Sequence, residues 1–199
     1  MVKIKICGLS RLRDIDAVNE EGPDFIGFVF ADSRRKITPE QALELRRHLR
    51  PGILPVGVFV NEEVDKIRSL VRNGIIDAIQ LHGAETEEDV RKLRALTNKP
   101  VIKAIAVRNR DSVQEGAATE ADYLLLDRQG GGTGRRFDWD LVGDVRKPFF
   151  LAGGLNADNV VEAVQTVDPF AVDVSGGVET DGWKDHAKIK EFVRRARNV

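Results

Sequence analysis

The residues of this chain that could do chemistry stand at the ends of strand-like segments. Cys7 closes an alternating segment at the start of the chain, and Asp127 closes the apolar run that begins at Tyr123. A thiol beside a cation can ionise near neutral pH, and a carboxyl group beside apolar walls can retain its proton there. Cys7 is therefore a candidate reactive thiol and Asp127 a candidate general acid. The alternatives are a buried core cysteine and a loop-anchoring aspartate.

Lys5 is the cation that could act on Cys7. In the first segment Lys3, Lys5 and Cys7 share one face of a strand, while Ile4 and Ile6 share the other. Because two residues of strand span about 6.6 Å, Lys5 would lie one pleat below the sulfur. If the isoleucines face helices, we expect Lys5 to point into the interior and to favour the Cys7 thiolate.

Two glycine-containing loops predict a phosphate site. Gly153-Gly154 and Ser175-Gly176-Gly177 each follow a strand-like segment. Backbone N–H groups freed by glycine can approach phosphate oxygens closely, and a helix N-terminus adds a favourable potential. Simple turn glycines are the alternative. A third stretch, Gly130–Gly134, resembles a nucleotide phosphate loop but lacks the Gly-Lys-Ser/Thr ending, so a mobile loop is the favoured interpretation there.

His82 and Arg35 complete the set of candidate binding residues. His82 follows a segment that ends at Leu81, and Arg35 belongs to a basic run after the second segment. Such a run is ordinarily a solvated loop, but its position at a strand end favours a clamp for a carboxylate. With 3 histidines and 1 cysteine, the chain can form no internal disulfide and no histidine-rich or cysteine-rich metal centre.

Strand-like segments alternate with helical patterns along the chain, which predicts parallel strands joined by crossover helices. The segments are Val2–Cys7, Phe25–Phe30, Leu54–Val60, Ala78–Leu81, Val101–Ala106, Tyr123–Asp127, Phe149–Ala152 and Ala171–Val174. The helical patterns are Leu12–Glu21, Pro39–Leu49, Glu62–Arg72, Glu87–Ala95, Ala157–Gln165 and Asp185–Ala196, with weak patterns after the fifth and sixth segments. Thr38 to Gln41 predicts a capping box, and Asn61 and Asn156 are expected caps of later helices.

These elements predict an α/β fold, a single-domain (β/α)8 TIM barrel over residues 1–199. Eight units leave about 25 residues for each, fewer than usual, so the loops must be short. In such a barrel the catalytic groups lie at the C-terminal ends of the strands, where the candidates stand. A doubly wound open sheet is the alternative, because periodicity does not show whether a sheet closes.

The overall charge excludes several classes of partner. The formal net charge is −1, with 31 basic and 32 acidic residues, so nothing global attracts nucleic acid or anionic lipid. The apolar runs are far shorter than the roughly 18 residues that a membrane span needs, and no signal peptide is evident. We expect a cytoplasmic protein whose partner is a small molecule. The sequence gives no indication of an oligomeric state.

Seven short motifs occur in order along nearly the whole chain. They are Lys5-Ile6-Cys7-Gly8, Gly27-Phe28-Val29-Phe30, Gly57-Val58-Phe59-Val60, Gln80-Leu81-His82-Gly83, Leu125-Leu126-Asp127 with Gly131-Gly132-Thr133-Gly134, Leu151-Ala152-Gly153-Gly154-Leu155-Asn156, and Val172-Asp173-Val174-Ser175. Together they resemble one enzyme family, the phosphoribosylanthranilate isomerases of tryptophan biosynthesis.

The resemblance implies a (β/α)8 barrel that converts N-(5′-phosphoribosyl)anthranilate to the 1-deoxyribulose 5-phosphate by an Amadori rearrangement, without metal or organic cofactor. Cys7 would be the general base, Asp127 the general acid and Arg35 the clamp for the anthranilate carboxylate. Asp173 would contact substrate hydroxyls, with His82 also at the substrate, and Gly153, Gly154, Ser175 and Gly176 would hold the phosphate. Two departures are Arg34 in place of the family's proline, which leaves open whether Arg34 or Arg35 points inward, and Gly176 in place of a serine.

Other functions remain as alternatives. An isomerase of a histidine-pathway aminoaldose with two phosphates would need a second glycine loop after the third strand, where Val60-Asn61-Glu62 leads directly into a helix. A phosphosugar epimerase would need metal ligands, and an aldolase a Schiff-base lysine, for which Lys103 is the one tempting candidate. A catalytically inactive phosphoribosyl binder or a redox protein that uses Cys7 belongs to a different class.

Overall fold

Eight parallel strands pair in chain order and close on themselves in the computed structural model, which describes residues 1–128 and 137–199. Pairing of β8 with β1 completes the closure, so the predicted barrel is confirmed and the open-sheet alternative is wrong. The strands are β1 (Lys3–Cys7), β2 (Phe25–Val29), β3 (Leu54–Phe59), β4 (Ala78–Leu81), β5 (Val101–Val107), β6 (Tyr123–Arg128), β7 (Phe149–Leu151) and β8 (Ala171–Val174).

Helices connect most of the strands on the outside of the barrel. They are α1 (Leu12–Glu21), α2 (Pro39–Arg47), α3 (Val64–Arg72), α4 (Glu87–Thr97), α5 (Arg110–Ala117), α6 (Val160–Val167) and α7 (His186–Arg197). In the described part of the unit after β6, a single 3₁₀ turn at Trp139–Leu141 stands in place of an α-helix. After β8 comes a two-stranded antiparallel hairpin of β9 (Glu179–Thr180) and β10 (Trp183–Lys184).

Alternate residues of β1 face the hydrophobic core and the interior of the barrel. Ile4 and Ile6 are fully buried in the hydrophobic layer between strands and helices, as the sequence predicted. Lys5 is 0% exposed and points the other way, into the barrel, where its Nζ lies 3.0 Å from both carboxylate oxygens of Asp173 on β8. The strand therefore contributes packing on one face and chemistry on the other.

An aromatic cluster fills the barrel at the end where the strands begin. Phe150 lies at its centre, with ring centroids 5.4 Å from Phe25, 5.7 Å from Tyr123 and 5.6 Å from Phe170. Smaller apolar side chains of the intervening strands, such as Val56, pack in the same cluster. The interior is thus closed at this end, and a cavity can open only at the other.

The predicted caps have mixed outcomes. Thr38 caps α2 as expected, since its Oγ1 accepts from Gln41 N at 3.2 Å while Gln41 Oε1 accepts from Thr38 N at 2.8 Å. Asn61 does not cap α3: it has a φ of +53°, and its Oδ1 accepts from Ala84 N in the neighbouring loop. Asn156 instead closes a short turn by accepting from Asp158 N and Asn159 N. As a result α3 and α6 begin two and three residues later than predicted.

One predicted feature lies outside the described residues: the glycine-rich stretch Gly130–Gly134 and the arginines that follow it. Along the described part of the chain, no helix combines the length and the apolar character needed to cross a membrane.

Candidate active site

A cavity of about 390 Å³ opens at the C-terminal ends of the barrel strands. Its wall includes parts of β1, β2, β3, β4, β6 and β8 and the loops that follow them. All the site residues predicted from the sequence line it: Cys7, Arg35, His82, Asp127, Gly153, Gly154, Asp173, Ser175 and Gly176. The closed barrel thus brings side chains from distant parts of the chain to one opening.

Cys7 lies at the last position of β1 and is buried. Directly opposite it in the strand pairing is Gly27 of β2, where an added Cβ would lie 2.6 Å from the Cys7 sulfur. A side chain at position 27 would therefore displace the thiol. The sequence analysis noted Gly27 only as part of a motif, and its role in making room for Cys7 becomes evident from the strand register.

Burial raises the pKa of the Cys7 thiol above its usual value. Lys5 opposes this rise, whereas the nearby Asp173 carboxylate adds to it. Burial alone would lower the pKa of Lys5, but its pairing with Asp173 raises it above its usual value. Lys5 therefore points inward and favours the Cys7 thiolate as expected, but burial outweighs it and the Asp173 charge opposes it, so the pKa of Cys7 is raised overall.

Asp127 near the end of β6 is the second candidate for proton transfer. Its Oδ1 accepts a hydrogen bond from Arg128 N at 2.7 Å, and its Oδ2 lies 3.4 Å from His82 Nε2. The other imidazole nitrogen, Nδ1, lies 2.8 Å from Nε2 of Gln80, which is buried on β4. Gln80, His82 and Asp127 therefore form a chain across the cavity wall. The sequence analysis predicted His82 at the substrate, and the structure adds its contact with Asp127.

Arg35 and Arg34 have different environments, which answers the question of which one points inward. The Arg35 side chain is 17% exposed and lines the cavity, whereas that of Arg34 is 59% exposed and is not among the lining residues. Arg35 passes over Gly8, where a Cβ would lie only 2.4 Å from Arg35 Cδ. Gly8 also has a φ of +85°, so any other residue there would be strained as well as in the way.

The two predicted phosphate loops meet at the same edge of the cavity. Gly153, with a φ of +82°, lies so near the acid that a Cβ would be 3.1 Å from Asp127 Oδ1. Gly177 lies against the other loop, since a Cβ there would be 1.9 Å from the Leu155 carbonyl oxygen. Ser175 Oγ donates to the Cys7 carbonyl oxygen at 3.0 Å. The two loops and the Ser175 hydroxyl thus lie together at one side of the opening.

Comparison with known proteins gives the family. A model of the N-(5'-phosphoribosyl)anthranilate (PRA) isomerase family matches residues 4–195. The chain belongs to this family. An N-(5'-phosphoribosyl)anthranilate isomerase of Endomicrobium trichonymphae is 47% identical over 203 residues, which cover 100% of each chain.

Solved PRA isomerases have the same fold over the full length. The crystal structure of the Thermotoga maritima enzyme matches with a TM-score of 0.92 and 40% identity, covering 100% of both chains. A PRA isomerase in complex with reduced 1-(o-carboxyphenylamino)-1-deoxyribulose 5-phosphate matches with a TM-score of 0.90 and 41% identity, again over 100% of both chains. The isomerase function in tryptophan biosynthesis that the sequence motifs implied is thereby confirmed.

Two residues of this PRA isomerase escaped the sequence analysis although they lie beside the site. Glu179 in β9 accepts hydrogen bonds from Arg35, and Lys184 in β10 donates to the Ser175 carbonyl oxygen. Their hairpin has a sequence signal, since Asp181-Gly182 is a typical two-residue hairpin turn, and both residues have positive φ. That signal could have placed β9 and β10 in advance.

Other candidate chemistry lies away from the cavity. Lys103 is held by the Gly83 carbonyl oxygen at 2.8 Å and by Glu85 Oε2 at 2.7 Å, and it is not among the lining residues, which disfavours a Schiff-base role. Among the described residues, one group has the spacing of metal ligands, namely Glu20, Glu21 and His186 outside the barrel. Exposed acidic groups of this kind are common without an ion.

Proposed function

We propose that Cys7 and Asp127 are the general base and general acid of this isomerase, acting on N-(5'-phosphoribosyl)anthranilate. One observation carries the proposal: a thiol on β1 and a carboxyl group on β6 line one cavity, which is also lined by an arginine and two glycine loops. A substrate with a carboxylate at one end and a phosphate at the other matches these groups.

Asp127 and Cys7 each carry out one proton transfer in the proposed reaction. Asp127 gives its proton to the furanose ring oxygen while the anilino nitrogen pushes the ring open to a protonated Schiff base. The Cys7 thiolate then removes the proton from C2 and leaves an enolamine. Ketonisation moves a proton from the C2 hydroxyl to C1. Asp127 regains from solvent the proton that it gave to the ring oxygen, and Cys7 ends as a thiol, so that no proton is gained or lost overall.

Ring opening also explains how a thiol with a raised pKa can act as the base. The protonated Schiff base places a positive charge close to the Cys7 sulfur, and a nearby opposite charge favours the thiolate. Lys5 and Lys184 act in the same direction by lowering the pKa of Cys7, although burial outweighs them in this structure. The thiol would therefore release its proton to solvent, and so become the base, when the intermediate that needs a base has formed.

The remaining residues hold the substrate and the acid. Arg35 binds the anthranilate carboxylate, Asp173 binds sugar hydroxyls, and Gly153, Gly154, Ser175 and Gly176 bind the phosphate. We assign His82 to orienting Asp127, because its Nε2 lies 3.4 Å from Oδ2. Gln80 Oε1 is buried with no hydrogen-bond partner among the described residues, which makes it a further candidate contact for a substrate hydroxyl.

The test is the loss of fluorescence of freshly generated phosphoribosylanthranilate after addition of purified protein without metal. Cys7→Ala and Asp127→Asn should each lower kcat by about 10²–10⁴, the range for a positioned acid or base, while circular dichroism shows the fold retained. Wild-type turnover by either variant would refute the assignment of that residue.

We further propose that residues 1–199 work as one catalytic domain in the cytoplasm. The single cysteine must stay a reduced thiol to serve as the base, and a reducing compartment maintains that state. Inactivation of the enzyme by mild oxidation and its recovery with a thiol reductant would test this dependence.

A further inference from the structure

Glu179 lies behind the arginine that faces the cavity. Its side chain is 5% exposed and lies outside the cavity lining. Its Oε1 accepts from Arg35 Nε at 2.7 Å, and its Oε2 accepts from Arg35 Nη2 at 2.9 Å. Two parallel hydrogen bonds of this kind fix the plane of a guanidinium group as well as its position.

The contacts of Glu179 use one edge of the guanidinium. Because Nε and Nη2 face Glu179, the edge that carries Nη1 is not engaged by this carboxylate, and it is the edge available to a second one. Arg35 itself lines the cavity. Glu179 therefore orients Arg35 toward a ligand without occupying the position that the ligand needs.

The same carboxylate connects Arg35 to the phosphate loop. Glu179 Oε1 also accepts from Lys184 Nζ at 2.6 Å, and Lys184 Nζ donates to the Ser175 carbonyl oxygen at 2.9 Å. Arg35 Nη2 lies close to this loop as well, 3.7 Å from where a Cβ of Gly176 would be. One buried acid thus joins Arg35 to the neighbouring phosphate loop.

The charges around Glu179 support this arrangement. Although burial opposes it, hydrogen bonds from Arg35 and Lys184 hold the pKa of Glu179 below its usual value. Arg34 Nη2 lies 2.5 Å from Glu179 Oε2, so three cations surround one carboxylate. The excess positive charge remains beside a cavity suited to an anionic ligand.

We propose that Glu179 is a positioning residue, which orients Arg35 to bind the substrate carboxylate and, through Lys184, sets the distance between Arg35 and the phosphate loop. This inference rests on the proposed function, in which Arg35 binds the anthranilate carboxylate. If Glu179 has this role, the enzyme should select substrates whose carboxylate lies at a fixed distance from the phosphate.

The experiment compares two ligands on Glu179→Gln. Reduced 1-(o-carboxyphenylamino)-1-deoxyribulose 5-phosphate carries both the carboxylate and the phosphate, whereas ribose 5-phosphate carries the phosphate alone. We expect Kd for the first to rise about ten- to a hundredfold, as for the loss of a hydrogen-bonded charge pair, and Kd for the second to change less than about threefold. KM should rise with the first Kd, while kcat changes little.

Matched variants separate positioning from charge and from stability. Glu191→Gln removes a partly exposed carboxylate that also pairs with two arginines, Arg194 and Arg195, on the outer helix α7, and it should leave both Kd values unchanged. Glu179→Asp retains the charge but shortens the side chain, so it should rescue binding only in part. If Glu179→Asp restores binding completely, charge alone is sufficient and the proposal is overturned.

Arg35→Ala distinguishes failure of this inference from failure of the proposed function. If Arg35→Ala leaves the Kd of the carboxylate-bearing ligand unchanged, the proposed role of Arg35 fails and this inference fails with it. If Arg35→Ala weakens binding but Glu179→Gln does not, or binding becomes tighter, the inference alone is overturned. In the Arg35→Ala background Glu179→Gln should have no further effect, since the two residues act as one unit.

Discussion

At the scale of single residues, the most informative group is the Cys7 thiol, because it is the only cysteine in the chain and its titration can be followed directly. Burial raises its pKa, so we expect the thiolate absorbance near 240 nm to appear only above the pH at which an ordinary cysteine ionises. Lys5→Met should move this titration to still higher pH, since Lys5 lowers the pKa. Asp173→Asn should move it to lower pH, because the Asp173 charge raises the pKa.

The opposite signs of these two changes are the control. A general loosening of the barrel would expose the thiol in both variants and lower the pKa of Cys7 in both. An equal fall in the pKa of Cys7 in Lys5→Met and Asp173→Asn would therefore contradict the electrostatic explanation.

Arg35 and Arg34 provide a second test at this scale, since they are adjacent, of the same type and both paired with Glu179. Arg35→Ala should raise KM about tenfold or more and change kcat less, because it removes an interaction that is made with the substrate carboxylate throughout the reaction. Arg34→Ala removes a mostly exposed arginine, while Arg35 and Lys184 still pair with Glu179, and it should change KM less than about threefold. Steady-state kinetics measures both, and a larger effect at Arg34 would reverse the assignment.

At the scale of elements, the strands were predictable and the connections less so. The alternating and apolar runs placed each end of every barrel strand within one residue, because these patterns are encoded locally. The starts of α3 and α6 were misplaced because Asn61 and Asn156 form loop contacts instead of helix caps. The first of these contacts joins loops after different strands, which a local sequence pattern does not reveal.

The loops after β7 and β8 must fit together closely to form the phosphate site, and Gly177 tests this fit. Gly177→Ala would place a Cβ 1.9 Å from the Leu155 carbonyl oxygen, so the loops must move apart. We expect Kd for ribose 5-phosphate to rise about tenfold or more, since displacements near 1 Å are enough to cost that much.

Gly176→Ala is the matched comparison for this prediction. Its Cβ would lie 3.7 Å from Arg35 Nη2, an ordinary contact, so the effect on phosphate binding should be much smaller. Equal effects of the two substitutions, measured by isothermal titration calorimetry, would show that crowding between the loops is not the cause.

At the scale of the whole molecule, barrel closure is what brings the site together, and closure was the least accessible feature in the sequence. It depends on the pairing of β8 with β1, which joins residues such as Lys5 and Asp173 that are 168 positions apart. The candidate residues themselves could be found because each stands at a strand end. The Asp181-Gly182 turn could place Glu179 and Lys184 in a hairpin, but it could not show their contacts with Arg35 and Ser175, which exist only after the hairpin has folded against the barrel mouth.

The residues that stabilise the barrel by packing and the residues that do chemistry lie at opposite ends of its axis, and a substitution of Phe150 tests this separation. It is 1% exposed at the centre of the aromatic cluster, at the end of the barrel opposite the cavity. Phe150→Ala should lower the free energy of unfolding by about 3–5 kcal/mol, because it removes buried apolar contacts and leaves a void. Urea denaturation measures this loss. Well below the melting temperature, kcat of the variant should stay within about threefold of wild type, because Phe150 does not line the cavity. A large fall in kcat of the folded variant would mean that packing at the closed end controls the geometry of Cys7 and Asp127.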